Sequence, residues 1–210
     1  MRDALAHSPF PGLPLCIKPV QGIYGAGFWQ FDDNAQPMAM FTNPERRITT
    51  PQQYLSALES ADKCPAQVLM PYLPGPEYSV DILADNGQVL AAVARRKDGS
   101  LQYLEHEGAA FELACACARV MKADGLVNVQ TRHDHHGQPL LLEINMRPSG
   151  GIGYTALSGV NLPGLFALYS PGLLSADEVR EYDRTAFRPA IVRPLTEAVS
   201  YPSSLNNVIH

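Results

Sequence analysis

The sequence predicts an α+β protein of two lobes, each built from antiparallel strands backed by helix. Three observations carry that expectation. Short apolar runs meet at turns that contain glycine, helix-start signals follow them, and a proline-rich crossing, PYLPGPE at residues 71–77, divides the runs into two groups.

In the first group LPLCIKP reads as a strand, GIYGAG as a glycine turn and FWQF as a second strand. Thr50 then offers a helix N-cap, with Pro51 at the first helical position and Gln53 placed to close a capping box. Tyr54, Leu55 and Leu58 supply the apolar face of that helix. In the second group, alternation through Tyr78, Val80 and Ile82 marks a half-buried strand, Asn86 and Gly87 supply a turn, and GQVLAAVARRK returns antiparallel. A helix is expected from about Gly108 to Ala123, ended by Asp124 and Gly125. The hairpin VNVQTRHDHHGQPLLLEIN follows, turning at His136 and Gly137. Short helices come after Asn161 and after Ser175, where Glu178 completes a second capping box. The expected divisions are a small lobe with its glycine flap at 1–65, a larger lobe at 66–170, and a C-terminal helix and tail at 171–210.

A length of 210 residues allows a buried core. The net charge of -5 and a longest basic run of only Arg95–Lys97 argue against nucleic acid, whose phosphate backbone needs many neutralising contacts. The N-terminus lacks the apolar core of a signal peptide, and no stretch reaches the roughly 18 apolar residues of a membrane span, so no membrane partner and a cytoplasmic location are expected. Cys16, Cys64, Cys115 and Cys117 form no CxxC pair and read as buried thiols in a reducing compartment.

The chemistry concentrates in LLLEINMRPSGG, residues 140–151, read with Gln130. Glu143 and Asn145 lie two apart on a strand and so point to one face. The hairpin register places Gln130 opposite Glu143 and Asn128 opposite Asn145, and opposed residues of an antiparallel pair share a face. One carboxylate and two amides suit Mg2+, which takes few protein oxygens beside water and phosphate. Arg147 can pair bidentately with phosphate oxygens, and Gly150, Gly151 and Gly153 let backbone approach an anion. At the other end of the chain, Lys18 closes a strand and Gly22, Gly25 and Gly27 line the turn after it. That arrangement suits a polyphosphate, although no Walker GK[ST] follows.

Four blocks, CIKPVQGIYGAG, VLMPYLPGPEYSVDIL, GLVNVQ and LLLEINMRPSGG, together resemble the nucleotide-binding lobes of the ATP-grasp superfamily, over roughly residues 11–169. The resemblance is to carboxylate–amine ligases, and the glutamine at 130 looks like the carbamoyl-phosphate synthetase large-chain branch. It implies an α+β fold whose two antiparallel lobes clamp ATP. Carried over by position, Lys18 would contact the α and β phosphates, with the loop containing Gly22, Gly25 and Gly27 as a mobile cover. The Met70 carbonyl and Leu73 amide would meet adenine, and Glu77 the ribose hydroxyls. Gln130, Glu143 and Asn145 would hold Mg2+, with Mn2+ as a substitute. Arg147 would steady the transferring phosphoryl group, and of the neighbours Arg95 and Arg96, Arg96 is preferred as the one facing the nucleotide.

The implied reaction phosphorylates a small-molecule carboxylate with ATP, then joins it to an amine or similar nucleophile. The second reading is a non-catalytic ATP-binding fragment or one subunit of a split enzyme. It follows from the start of the chain: family members carry a preceding domain and a further ATP-binding lysine ahead of the flap, so the resemblance implies N-terminal truncation. The implied partner is a chain supplying that domain, or a second copy of this one. PYLPGPEYSVDI and NVQ look most like small ATP-grasp proteins of biosynthetic or stress-resistance gene clusters, tellurite resistance among them. His133–His136 reads as a solvated turn rather than a metal tract, and Glu105, His106 and Glu107 as a surface loop.

Overall fold

The structure, a computed structural model, describes residues 1–22 and 25–200 and divides into two compact units, Met1–Leu73 and Pro74–His210. Ile23 and Tyr24, within the expected glycine flap, lie outside the described residues, as do residues 201–210.

The first unit opens with a short helix, α1 (Arg2–Ala6), followed by β1 (Leu15–Pro19) and β2 (Trp29–Phe31). A one-turn helix α2 (Ala39–Thr42), β3 (Ile48–Thr49), α3 (Pro51–Glu59) and β4 (Gln67–Pro71) complete it. The sheet order is β3-β2-β1-β4, antiparallel except for the β2–β3 pair. α3 begins as its residues dictate. The Thr50 side chain accepts from the Gln53 amide and the Gln53 side chain returns to the Thr50 amide, so two donors at the helix start are satisfied reciprocally. Leu55 is buried, and Tyr54 meets Phe31 edge to face at 5.5 Å between centroids. At the β1–β2 turn Gly27 has φ +75°, and a Cβ there would fall 2.7 Å from Pro19 Cγ, so both backbone and space require glycine. The residues 67–71, expected to open the second lobe, instead pair along the whole of β1. Their partner is some fifty residues away, which local patterning does not reveal.

The second unit is built on one six-stranded, wholly antiparallel sheet. Its strands are β5 (Glu77–Asp85), β6 (Gln88–Asp98), β7 (Leu101–Glu105), β8 (Gly125–His133), β9 (Pro139–Asn145) and β10 (Ala190–Val192), in the order β10-β7-β6-β5-β8-β9. Its helices are α4 (Ala109–Val120), α5 (Leu162–Tyr169) and α6 (Ala176–Ala186), with a 3-10 stretch at Ile152–Ser158. Asn86 and Gly87, both at positive φ, make the tight β5–β6 turn. α4 stops sooner than Asp124 and Gly125 suggested. Lys122 adopts φ +48°, and the amides of Lys122 and Ala123 return to the Arg119 and Ala118 carbonyls, closing the helix with a lysine where glycine is usual. Asn161 and Ser175 cap α5 and α6, the latter through a capping box with Glu178.

Alternation along the strands divides the sheet into two faces. Tyr78, Val80, Ile82, Ala92, Ala94, Val127 and Val129 pack against α4. On the other face, Leu83, Ala91, Val93 and Leu104 lie under residues of the 3-10 stretch, α5 and α6. That second face changes character along its length. Toward the start of β5 and the end of β8 it carries Glu77, Ser79, Asp81, Arg95, Lys97, Asn128 and Gln130 in registered rows. Apolar burial thus fixes one end of the face and leaves the other for polar side chains.

Candidate functional site

The β8–β9 hairpin sets the site. Its ladder pairs Gln130 with Glu143 and Asn128 with Asn145, the expected register. Beyond Gln130 the register slips by one, so that Thr131 pairs with Leu141 and Leu142 is the extra residue of a β-bulge. Glu143 and Asn145 share a face and touch: Asn145 Nδ2 donates to Glu143 Oε1 at 2.9 Å. Gln130 Nε2 lies 3.5 Å from Asn128 Oδ1. The remaining side-chain oxygens, Gln130 Oε1, Glu143 Oε2 and Asn145 Oδ1, have no hydrogen-bond partner among the described residues. Such a donor set is hard, oxygen-only and singly charged, which fits Mg2+ better than a thiophilic metal. Among the described residues no three His, Cys, Asp or Glu side chains gather into a site of their own.

A buried ion pair lies beside this row. Arg95, 3% exposed, donates from Nε to Asp81 Oδ2 at 2.8 Å, from Nη1 to Gln102 Oε1 at 2.7 Å, and from Nη2 to Ser79 Oγ at 2.9 Å and Ser149 Oγ at 2.8 Å. Every guanidinium nitrogen is engaged, which offsets the cost of burying the charge. Asn128, also buried, donates to Ser79 Oγ, to the Val80 carbonyl and to Asp81 Oδ1. Gly151 lies against the guanidinium, where a Cβ would fall 2.5 Å from Nη1. The glycine that suggested an anion's approach is therefore required by Arg95, while a Cβ at Gly150 or Gly153 would meet open space.

The register sets Arg96, expected to face the nucleotide, and Arg95 on opposite faces of β6. Arg96 pairs across from Tyr78, on the α4 side of the sheet, where its Nε meets Glu105 at 2.8 Å and its guanidinium lies 4.0 Å over the Tyr103 ring. Arg95 and Lys97 share the face of Gln130 instead. Glu77 occupies that same face, bonded to Lys97 Nζ and 4.0 Å from Arg132 Nη1. Arg147 is exposed, with Nη1 donating to the Pro148 carbonyl at 3.1 Å.

In the first unit Lys18 is half-buried on β1, in register with Val68, and has no carboxylate at ion-pair distance among the described residues. Gly22, Gly25 and Gly27 flank the two residues outside the description, and Arg47 Nη1 donates to the Gly25 carbonyl. The backbone of Met70 does not point outward. The bonds Tyr72 N–H to Pro14 O (2.7 Å) and Val20 N–H to Ala66 O (2.8 Å) fix the ladder's phase, so Met70 exchanges its hydrogen bonds with Cys16. The outward carbonyls of β4 are those of Leu69 and Pro71, the latter 3.6 Å from the Cys16 thiol. Leu73 ends the unit, beyond β4.

Cys115 is buried, and that burial pushes its thiol up to about 11; Cys64, expected inside, is exposed. His106, expected in a surface loop, bonds Asp183 Oδ2 through Nε2 at 2.8 Å and stacks on Phe187. Among the described residues no helix is long and apolar enough to cross a membrane.

No curated protein matches the sequence. Among solved structures, an L-amino acid ligase from Bacillus licheniformis aligns with a TM-score of 0.55 at 19% identity, over 89% of this chain and 46% of that one. Biotin carboxylase from Campylobacter jejuni, in its β-γ-ATP complex, aligns at 0.53 and 17%, over 80% and 39%. An N5-carboxyaminoimidazole ribonucleotide synthetase in complex with ADP aligns at 0.51 and 15%, over 80% and 43%. The chain thus spans less than half the length of each, and identities this low speak to fold alone. The fold is ATP-grasp, α+β with sheets antiparallel but for the β2–β3 pair. Residues 63–197 match the family described as ATP-grasp in the biosynthetic pathway with Ter operon, and the chain belongs to that family.

Proposed function

We propose that this chain binds Mg-ATP and serves a ligase that activates a carboxylate as an acyl phosphate for attack by an amine. The observation that carries the reading is the row of three oxygens, from Gln130, Glu143 and Asn145, left without partners among the described residues on one face of the β8–β9 hairpin. In the reaction a substrate carboxylate oxygen attacks the γ phosphorus and the bond to the bridging oxygen breaks, releasing ADP. The amine nitrogen then attacks the acyl carbon, phosphate leaves with the C–O electrons, and the nitrogen loses its proton to solvent. Mg2+ held by the three oxygens would neutralise charge on the β and γ phosphates.

The chain's own residues position and neutralise. Lys18 supplies a point charge to the phosphates and Arg147 a planar pair of donors to the transferring group. The glycine turn before β2 brings backbone amides to the polyphosphate. Glu77 accepts from the ribose hydroxyls while Lys97 holds its carboxylate in place. The adenine edge meets the outward Pro71 carbonyl and the Leu73 amide, since the Met70 carbonyl is engaged by β1. The substrates are one small carboxylate and one amine, in the cytoplasm.

Glu143→Ala tests the reading. It should abolish Mg2+-dependent ATP binding in calorimetry and ATP-dependent product formation while leaving the melting temperature of the metal-free protein within a few degrees. Full Mg2+-dependent binding in this variant would overturn the assignment.

A further inference from the structure

Gln130 can offer a metal only one end of its amide, and the residues behind it decide which end. Asp81 is fully buried, and its Oδ2 receives Arg95 Nε at 2.8 Å. Its other oxygen, Oδ1, can only accept, and it receives Asn128 Nδ2 at 2.9 Å. The same Nδ2 lies 3.2 Å from the Val80 carbonyl, so the reversed amide would set oxygen against two acceptors. Asn128 therefore presents its Oδ1 toward Gln130. That oxygen accepts from Gln130 Nε2 at 3.5 Å, and the oxygen of Gln130 is the end left over.

We infer that Asn128, held by the Asp81–Arg95 pair, is a positioning residue that fixes the amide of Gln130 with its oxygen toward the cation. The inference rests on the metal-site reading above. Polarity passes outward through alternating acceptors and donors, from a carboxylate to a primary amide and from that amide to the next. Arg95 neutralises the carboxylate at the origin, so the relay adds no net charge to the site. Outer-shell partners of this kind change metal affinity by roughly 10–100-fold when removed.

The distinguishing test is a cycle of variants read by Mn2+ binding, followed by electron paramagnetic resonance in the presence of ADP. Asn128→Ala frees the Gln130 amide to turn and should weaken Mn2+ binding about tenfold or more. Gln130→Glu puts oxygen at both ends, so orientation no longer matters, and Asn128→Ala in that background should cost less than about threefold. Equal losses in both backgrounds would overturn the relay. Asn128→Ser, which still reaches Asp81 but not Gln130, gives the same comparison if the alanine variant fails to fold. Glu143→Ala separates the two levels: Mn2+ affinity unchanged in it removes the metal site itself, whereas its loss with an additive cycle removes only the role of Asn128.

Discussion

Replacing Gly151 by alanine would drive a methyl group into the guanidinium of Arg95, a buried side chain with four hydrogen bonds. The new Cβ would stand 2.5 Å from Arg95 Nη1, 2.8 Å from Cζ and 3.1 Å from Nη2, where contact between such atoms needs about 3.5 Å. The guanidinium must retreat by about an ångström. It is the end of a flexible side chain, but Nε, Nη1 and Nη2 are all tied to Asp81, Gln102, Ser79 and Ser149. A shift of that size breaks at least the Gln102 and Ser149 bonds, each worth roughly 1.5–3 kcal/mol to a charged donor. With relaxation recovering part, the expected loss is about 2–4 kcal/mol, at the upper end for overpacking. The melting temperature should fall by on the order of 10 °C in scanning calorimetry. Gly153→Ala, whose Cβ meets nothing within 4 Å, is the control and should stay within about 0.5 kcal/mol of wild type. Equal melting temperatures for Gly151→Ala and the wild type would refute the reasoning.

Two further outcomes follow from ionisable groups outside the site. The hydrogen bond that His106 donates to Asp183 raises the His106 pKa, with burial opposing it and the Asp183 and Glu107 charges adding to it. The folded state holds this proton more tightly, so the contribution is complete below about pH 6.5 and lost as pH rises through the raised value. Melting curves from pH 6 to 9 should fall more steeply for wild type than for His106→Gln, and identical slopes would remove the pair's role. The Cys115 thiol, pushed up to about 11 by burial, should resist iodoacetamide at pH 8 while the exposed Cys64 is alkylated. Peptide mass spectrometry showing both labelled at one rate would contradict that.

How legible these features were in the sequence depended on the range of the physics involved. Setting Gln130 opposite Glu143 needed only local signals, a turn and period-two alternation, although the tip pairs one residue out of that register and the bulge at Leu142 restores it. The caps at Thr50, Asn161 and Ser175 were legible for the same reason. The choice between Arg95 and Arg96 was not, because which face of a strand lies inside the polar row depends on α4 covering the other face. Asn128 could be placed opposite Asn145, but its task needs Asp81, far away in sequence and adjacent only through the β5–β8 pairing. β10 escaped notice because three residues, AIV, carry little periodicity until Leu104 and its neighbours on β7 offer an edge.

The bulge at Leu142 has a consequence for how the hairpin tolerates change. PLLLEIN sets three leucines in a row, which strict alternation would turn toward both faces, with Leu141 beside Glu143. The extra residue rotates Leu141 to pair with Thr131, on the side away from Gln130. The tip of the hairpin and the row carrying Gln130 and Glu143 are thus phased independently. A one-residue insertion or deletion at the Asp134–Gln138 turn can be absorbed at Leu142, before it reaches Glu143. Length variation among related chains should therefore collect at the tip, while the spacing from Glu143 to Arg147 stays fixed.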